Sequence, residues 1–282
     1  MSKKYDLSKI KEVELDILKE LKRICEKNDI DYFLDSGTAL GAVRHKGFIP
    51  WDDDIDVGMK RADYDRFLEA CKNDLKPEYF LQTRESDKNA PLNFAKLRKN
   101  KTTFLEWNKR NLDMHHGIYI DIFPYDKLPH EEDKKAEFLK KCTKLNTGFL
   151  LRTIPDRSDH PRKSLPWLLK AFAKRMIYYA LRIMPVSSYY EKMQEEFTRY
   201  NYLPDEESEF FTPCFPKYVY KYETLYPTKK LLFEDDYFNA PNDVDTYLKT
   251  LYSDYMTLPP ENERLGHRPV KVSFIKEHKK TK

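Results

Sequence analysis

Cysteine and glycine are scarce in this chain of 282 residues, which has four cysteines and seven glycines. Cys25, Cys71, Cys142 and Cys214 lie far apart and form no Cys-x-x-Cys pair. This spacing argues against a zinc site built from them and predicts reduced, mostly buried thiols. We therefore expect a cytoplasmic protein.

Long apolar runs are missing as well. No stretch reaches the ~18 consecutive apolar residues that a membrane-spanning helix requires. The N-terminus, Met1-Ser2-Lys3-Lys4, leads into an amphipathic pattern without the apolar core of a signal peptide. We expect a chain that is neither secreted by that route nor integral to a membrane.

An excess of one charge is also absent, since the net charge is only +4 and the basic residues are spread along the chain. Nucleic acid is therefore not an expected partner. Charged residues make up 35% and aromatic residues 14% of the chain, a composition that does not suggest disorder and predicts a packed globular protein with aromatic-lined clefts.

Aspartate, by contrast, is concentrated in Trp51-Asp52-Asp53-Asp54-Ile55-Asp56-Val57. In a strand, Asp54 and Asp56 would project from one face while Ile55 and Val57 face the core. Paired carboxylates suit Mg²⁺, with Mn²⁺ as the alternative. Asp52 shares this parity and joins the pair if the strand begins early enough, whereas Asp53 is not expected to be a ligand. The alternative is a solvated acidic turn, which is disfavoured because the apolar Ile55 interrupts the run at the position that a strand would bury.

A second chemical signal, Ser36-Gly37-Thr38, follows the short apolar run Tyr32-Phe33-Leu34 and precedes a helix-compatible stretch. The pattern predicts a helix that begins beside the carboxylates. Free backbone N–H groups and the positive end of the helix dipole would favour a nucleotide phosphate there. Most turns of this kind only cap helices, so the evidence rests on the pairing with Asp54 and Asp56.

These residues resemble the LicD family of phosphotransferases, and three blocks carry the resemblance. The first comprises residues 34–41, Arg44 and residues 47–56, the second is Gly117-Ile118-Tyr119-Ile120-Asp121-Ile122-Phe123-Pro124-Tyr125-Asp126, and the third comprises residues 247–260 with His267. The resemblance implies a nucleotidyltransferase-like fold, a helix start that holds phosphate and an Asp-x-Asp metal pair. Members of the family transfer phosphocholine from CDP-choline to sugars of bacterial surface glycans, and fukutin-type relatives transfer ribitol phosphate.

The expected fold is α/β (α+β), a nucleotidyltransferase-like mixed sheet flanked by helices, with a mainly helical second half. We expect one composite domain over residues 1–282, in which a core of about 1–130 is followed by a helical part of about 131–240 that faces the acceptor or a membrane. Residues from about 241 to 268 return to the active site. The sequence pattern predicts helices at 7–28, 37–44, 61–75, 131–151, 164–184, 188–202 and 243–254, and strands at 31–35, 94–98, 102–106 and 118–123, besides the carboxylate strand that ends near Gly58.

Asp121 is an acid in an otherwise apolar strand, and buried carboxylates rarely remain unpaired. It is a candidate general base or third metal ligand, two roles that the sequence does not separate. The alternative is an Asp near the end of a strand that forms local backbone hydrogen bonds.

Five further residues are candidate contacts of substrate. Arg44 near the end of the phosphate-turn helix, and Lys96 and Arg98 on one face of a strand, would contact phosphate. His267 would contact phosphate or the head group. If that group is choline, it needs aromatic faces, for which Trp51 is a candidate together with Trp107, Tyr119 and Tyr125. Each of these basic and aromatic residues is also compatible with a surface or core position.

The segment 162–182 carries six basic residues and no acidic one, with Trp, Phe and Tyr interleaved. That composition is typical of a helix on an anionic membrane surface. It would place the protein on the inner face of the cytoplasmic membrane. The alternative is a packed helix that exposes a basic face to water.

The residues and the resemblance together lead to one mechanistic hypothesis. The donor diphosphate lies against Ser36-Gly37-Thr38, a Mg²⁺ ion held by Asp54 and Asp56 bridges it, and a glycan hydroxyl attacks the β-phosphorus and releases CMP. The acceptor would be a teichoic acid, lipopolysaccharide or capsule precursor. The alternatives are another CDP-activated group (phosphoethanolamine, glycerol or ribitol phosphate), an NTP-dependent nucleotidyltransferase that releases pyrophosphate, and a non-catalytic scaffold.

Overall fold

The structure is a computed structural model that describes residues 5–155, 165–183, 185–267 and 269–274. The first half contains α1 (Leu7–Lys27), β1 (Phe33–Leu34), α2 (Ser36–His45), β2 (Asp56–Lys60), α3 (Arg61–Asp74), β3 (Tyr79–Gln82), β4 (Ala95–Lys99), β5 (Thr102–Leu105) and β6 (Tyr119–Lys127). The second half contains α4 (Glu132–Thr153), α5 (Leu165–Leu181), α6 (Val186–Phe197), β7 (Glu209–Phe211), β8 (Val219–Lys221), α7 (Tyr222–Leu225), β9 (Lys229–Phe233), β10 (Asp236–Ala240), α8 (Val244–Tyr252) and β11 (Lys271–Phe274).

The central sheet is mixed and has the strand order β1-β2-β6-β4-β3, with β7 and β8 attached at the end of β6. Strands β2 and β6 run parallel, and their register places Asp56 beside Asp121. Strand β4 runs antiparallel to β6 and places Lys96 on the other side of Asp121. The expected mixed sheet flanked by helices is therefore confirmed, and its register brings together acids that are 65 residues apart.

Helix α1 shows how the sequence pattern becomes packing. Its apolar residues recur three or four positions apart, and Ile10, Ile17, Leu21 and Ile24 are fully buried. The Asp6 side chain accepts a hydrogen bond from the Lys9 N–H and begins the helix. The helix packs against α3, β4 and β6, and the predicted bounds of 7–28 differ from the observed ones by one residue.

The second half contains a separate apolar cluster. Helices α4 and α6 pack on β7 through buried side chains, namely Phe138, Cys142, Phe149, Met193, Phe197 and Phe211. The predicted helices are present, but residues 209–240 add four short strands that the sequence pattern did not indicate. The β9–β10 hairpin turns at Glu234, which adopts φ 57° without the glycine that usually marks such a turn.

Two expectations from composition can be compared with the structure. The four cysteines are free, and Cys25, Cys71 and Cys142 are buried. Within the described ranges, no helix combines the length and the apolarity needed to cross a membrane.

Candidate active site

A cavity of about 850 Å³ opens where the N-terminus of α2, the start of β2 and β6 meet residues 251–270, which we call the C-terminal segment. Its lining combines polar and charged residues with aromatic and apolar ones, and we call the aromatic ones the aromatic wall. The lining residues are Ser36, Gly37, Asp52, Asp54, Asp56, Glu106, Trp107, Asn108, Asp121, Phe123, Phe215, Tyr218, Leu251, Tyr252, Leu265, Gly266, His267 and Val270. All three sequence blocks of the resemblance contribute to this active-site pocket.

The N-terminus of α2 is held by a buried network around Asp35. The Asp35 carboxylate accepts hydrogen bonds from the hydroxyls of Ser36 and Tyr125 at 2.9 Å each, and from Tyr247. Tyr247 also accepts a hydrogen bond from the Ser36 N–H at 3.0 Å. Burial raises the pKa of Asp35, which the hydroxyl donors oppose. Ser36 has φ 44°, a conformation rare for residues other than glycine, and this network holds it in place.

Gly37 and Thr38, the next two residues of α2, have different structural roles. A Cβ at Gly37 would lie only 3.0 Å from Asp52 Oδ2, so the glycine lets a carboxylate approach the start of the helix. Thr38 is buried, and its hydroxyl accepts a hydrogen bond from the Asp56 N–H at 2.8 Å. Thr38 thus ties α2 to the carboxylate strand and does not line the pocket, whereas Ser36 and Gly37 do.

Four acids, Asp52, Asp54, Asp56 and Asp121, line the pocket together, and we call them the carboxylate cluster. The predicted separation of Ile55 and Val57 from the acids is confirmed, because both apolar side chains are fully buried. However, β2 begins only at Asp56. Residues 52–54 therefore lie in a loop, where the alternation of a strand does not apply, and Asp52 reaches the pocket without it.

The cluster concentrates negative charge away from water. Burial raises the pKa of Asp54 to about 7, with Asp52 and Asp121 adding to the shift and His267 opposing it. Burial and the charges of Asp54 and Asp121 raise the pKa of Asp56 well above its usual range. Such acids repel one another unless a cation or protons lie among them. Oxygen donors at this density match the preference of Mg²⁺ or Mn²⁺, so the residues present fit the expected metal.

Asp53 lies beneath the pocket and holds the C-terminal segment. Its Oδ1 accepts hydrogen bonds from the His267 backbone N–H at 2.8 Å and from His267 Nδ1 at 3.0 Å. A Cβ at Gly266 would lie 2.6 Å from that oxygen, so this contact needs a glycine. Burial lowers the pKa of His267, but the Asp53 hydrogen bond and the charge of Asp54 outweigh it and raise that pKa to about 9.

The prediction that Asp53 is not a ligand rested on strand alternation, which the loop does not follow. Within the described part of the chain, ligand atoms of Asp53, Asp54 and His267 lie within 4.8 Å of one another, so these residues form a second group that could hold a cation. The Nε2 of His267 is 3.8 Å from Asp54 Oδ2. Asp54 is thus common to both possible donor sets.

Asp121 forms a buried ion pair on the other side of the cluster. Lys96 Nζ lies 2.5 Å from Asp121 Oδ1 and 3.4 Å from the centroid of the Tyr119 ring. Burial lowers the pKa of Lys96 to about 8, although Asp121 opposes the shift. Lys96 was expected to contact phosphate directly, but it is 2% exposed and its ammonium is directed at Asp121.

Three other expected substrate contacts lie outside the pocket lining. Arg98 is 1% exposed and donates to Gln82 and to the Gly117 carbonyl, because the strand face that it shares with Lys96 is interior. Arg44 donates to the Tyr255 carbonyl at 2.8 Å and so holds the C-terminal segment. Trp51 packs beside His45 and under the guanidinium of Arg264. These assignments are corrected because the tertiary structure gives each side chain a different partner.

The aromatic wall also differs from the prediction. Trp107 lines the pocket, and Phe123, Phe215, Tyr218 and Tyr252 lie with it. Tyr119 has its ring occupied by Lys96, and Tyr125 is buried with its hydroxyl on Asp35. Phe215 and Tyr218 come from the region without motifs, so no sequence signal marked them.

Sequence reasoning also missed Glu106, an acid in the pocket lining. The charges of Lys109 and Lys96 outweigh burial and lower the pKa of Glu106 to about 2. Its signal in the sequence was weak, since one glutamate between Leu105 and Trp107 follows no motif. Asp35 and Tyr247, by contrast, lie inside the motif blocks that carry the resemblance.

Comparison with known proteins agrees with this geometry. Residues 29–165 match the family model described as LicD/FKTN/FKRP, nucleotidyltransferase domain. The chain is 29% identical over 275 residues to the lipopolysaccharide cholinephosphotransferase LicD of Haemophilus influenzae, an alignment that covers 94% of this chain and 97% of the relative.

Two shorter matches of 62 residues are to uncharacterized proteins of Rickettsia prowazekii (47% identical) and Rickettsia typhi (45% identical). Each covers 22% of this chain, and they cover 23% and 20% of those relatives respectively. Residues 29–165 thus match the model of a LicD-family domain, a likeness that the motifs predicted.

Proposed function

We propose that this protein transfers phosphocholine from CDP-choline to a sugar hydroxyl of a bacterial cell-surface glycan, with release of CMP and dependence on Mg²⁺. The chain is a phosphotransferase of the LicD type, and the relative that aligns with nearly its whole length is named as a lipopolysaccharide cholinephosphotransferase. The observation that carries the proposal is the carboxylate cluster beside the N-terminus of α2, in one pocket with an aromatic wall. Lipopolysaccharide, teichoic acid and capsule precursors are the acceptor classes.

The N-terminus of α2 supports the donor side of the proposal. The Gly37 N–H has no hydrogen-bond partner among the described residues, and Gly37 lines the pocket. A helix of 10 residues also directs its positive dipole end there. Both features favour a phosphate group, and the buried Asp35 network holds the turn rigid enough to place it.

The carboxylates support the metal. Asp54 and Asp56, with Asp52 and Asp121 beside them, would hold the cation, which when bound supplies charge neutralisation and polarises the phosphate oxygens. The protein's own part is to keep these oxygens ordered: Thr38 fixes the backbone of Asp56, and Asp53 fixes His267 next to Asp54. His267, whose pKa is raised, would add a positive charge on the pocket wall.

The ion pair with Lys96 bears on the role of Asp121. A carboxylate that already accepts an ammonium hydrogen bond is a weaker proton acceptor but still offers its second oxygen to a cation. We therefore propose that Asp121 is a metal ligand in preference to a general base. Lys96 would orient it and balance its charge inside the sheet.

The aromatic wall supports a quaternary ammonium as the head group. A trimethylammonium group is stabilised by aromatic faces and needs no hydrogen-bond acceptor. Trp107, Phe123, Phe215, Tyr218 and Tyr252 supply such faces within the pocket that holds the carboxylates. A ribitol or glycerol group would instead need hydroxyl partners, which this wall offers less.

The decisive experiment follows the phosphorus atoms by ³¹P NMR. The purified protein with Mg²⁺ and a glycan extract receives CDP-choline, CDP-ethanolamine, CDP-glycerol, CDP-ribitol or CTP in separate samples. We expect CMP and a phosphodiester signal with CDP-choline. Pyrophosphate from CTP would support a nucleotidyltransferase instead. CMP from another donor would show that the transferred head group is not phosphocholine.

Asp54→Asn and Asp133→Asn make a matched pair for this assay. Asp133 is an exposed residue in the first turn of α4 that belongs neither to the three motif blocks nor to the pocket lining. Loss of CMP release in the first variant alone assigns the activity to the pocket. Equal turnover in both variants would contradict the proposal and favour a scaffold without catalysis.

A further inference from the structure

Helix α5 (Leu165–Leu181) carries an exposed apolar surface that no described part of the chain covers. Leu168, Phe172, Met176 and Tyr179, which we call the apolar stripe, are between 50% and 65% exposed. They recur at intervals of four, four and three residues, so they lie along one face of the helix. Leu169, 63% exposed, and Ile183, 88% exposed, extend this surface at its edge and beyond the helix end.

A different face of α5 packs on the protein. Tyr178 is 7% exposed, and Trp167 and Ala171 are partly buried. Helix α4 is the neighbour on that side. The apolar stripe lies outside this packed face and stays at least half exposed, although Phe172 and Tyr179 also line a cavity that α5 forms with residues 110–112.

The charges on α5 are of one sign. Residues 165–183 contain Lys170, Lys174, Arg175 and Arg182 and no acidic residue. A cavity of about 470 Å³ lies beneath the helix, and Arg110, Arg175 and Arg182 are among its lining residues. Positive charge thus flanks an apolar surface, an arrangement that fits anionic lipid headgroups above acyl chains.

We propose that α5 lies flat on an anionic membrane surface, with the apolar stripe inserted at the level of the acyl chains and the flanking basic residues on the lipid headgroups. A helix of 17 residues with four cations nearby lies on a bilayer and does not span it. A second copy of the chain is a poorer occupant. A two-fold interface would bring the same basic residues face to face and make them repel. Residues 162–164, the first part of the segment with predicted membrane contact, lie outside the described residues.

Vesicle sedimentation tests this surface without donor or acceptor, so its result is independent of the transfer reaction. The full chain is mixed with phosphatidylcholine vesicles that contain or lack phosphatidylglycerol. We expect binding only where phosphatidylglycerol is present, and weaker binding as salt rises.

Two variant pairs separate the contributions. Phe172→Ser/Met176→Ser should weaken binding by about tenfold or more, because two large apolar side chains no longer leave water. Lys170→Gln/Lys174→Gln should weaken it by about thirtyfold at low salt. The matched control Lys140→Gln/Lys144→Gln removes two exposed lysines of the same spacing from α4 and should bind as the wild type does.

Three outcomes would overturn the proposal. They are wild-type protein that stays in solution with anionic vesicles, equal losses in the α4 and α5 lysine variants, and a dimer in solution that Phe172→Ser/Met176→Ser dissociates. The last result would assign the apolar stripe to contact between copies. Thermal unfolding of each variant verifies that it is folded, since substitutions at exposed positions change stability little.

Discussion

Acidic side chains are buried or half-buried in the carboxylate cluster, whereas large apolar side chains are exposed along α5. Asp56 and Asp121 lie within the central sheet, while Phe172 and Met176 are exposed on a helix that packs on α4. Charged side chains are usually exposed and large apolar ones usually buried, so the two regions depart from this distribution in opposite directions. Burial of like charges costs free energy that a cation can offset, and exposure of apolar surface costs free energy that a membrane can offset. The two regions thus point to ligands of opposite chemistry.

The largest effect is expected for Asp54→Asn, which tests whether the carboxylate cluster holds a catalytic cation. The amide removes one charge and one strong ligand from both possible donor sets, so we expect turnover to fall about a thousandfold, or about 4 kcal/mol in the barrier. CMP release at saturating Mg²⁺ measures it. An unchanged rate would mean that Asp54 does not take part in the chemistry.

The ion pair beneath the cluster is the next test. Asp121→Asn leaves Lys96 buried without its counter-charge, and we expect a loss of about 3 to 5 kcal/mol in the free energy of unfolding. Adding Lys96→Met should recover most of that stability in urea titrations without restoring turnover. A double variant that regains activity would show that Asp121 serves only to neutralise Lys96.

A pair of phenylalanines compares the interior with α5 directly. Phe149 is fully buried among α4, α6 and β7, whereas Phe172 is 65% exposed. Phe149→Ala should cost about 3 to 5 kcal/mol of unfolding free energy because it leaves a cavity, and Phe172→Ala should stay within ~0.5 kcal/mol of the wild type. Comparable losses in the two variants would indicate that Phe172 packs against the fold in solution.

The smallest effect concerns Glu14, on α1 below the cluster. Its Oε2 is buried and has no hydrogen-bond partner among the residues that the structure describes, and burial together with the charges of Asp54, Asp53 and Asp52 raises its pKa well above the usual 4.5. Below pH 4.5 the Glu14 carboxyl is protonated in both the folded and the unfolded state. As pH rises above it, the unfolded state releases a proton that the folded state retains, so stability falls.

Glu14→Gln removes this proton linkage. We expect the variant to exceed the wild type by about 1 to 3 kcal/mol at pH 8 and by less at pH 5, as measured by thermal unfolding without metal. Glu12→Gln, an exposed glutamate on the same helix, should change neither value. A gain that is equal at both pH values would show that Glu14 does not titrate as its burial implies.

Much of the site could be predicted because its signals are local in the chain. The start of α2 at Ser36, the acids at 54 and 56, and Asp121 in an apolar strand each follow from a short pattern of residues. The roles of the basic residues were harder to predict, since the sequence contains nothing that distinguishes Arg44, Lys96 and Arg98 from one another. Their partners, Tyr255, Asp121 and Gln82, come from other elements, so no local pattern separated a buried cation from a phosphate contact.

The sequence by itself determined the kind of chemistry and the elements that carry it, because strand alternation, helix starts and apolar periodicity act within a few residues. Only the tertiary structure decided which side chains meet. The parallel register of β2 and β6 joins Asp56 to Asp121, the return of the C-terminal segment puts His267 on Asp53, and the packing of α5 on α4 leaves Phe172 outside. These contacts join residues distant in the chain, and their free energy depends on burial and charge that no single segment contains.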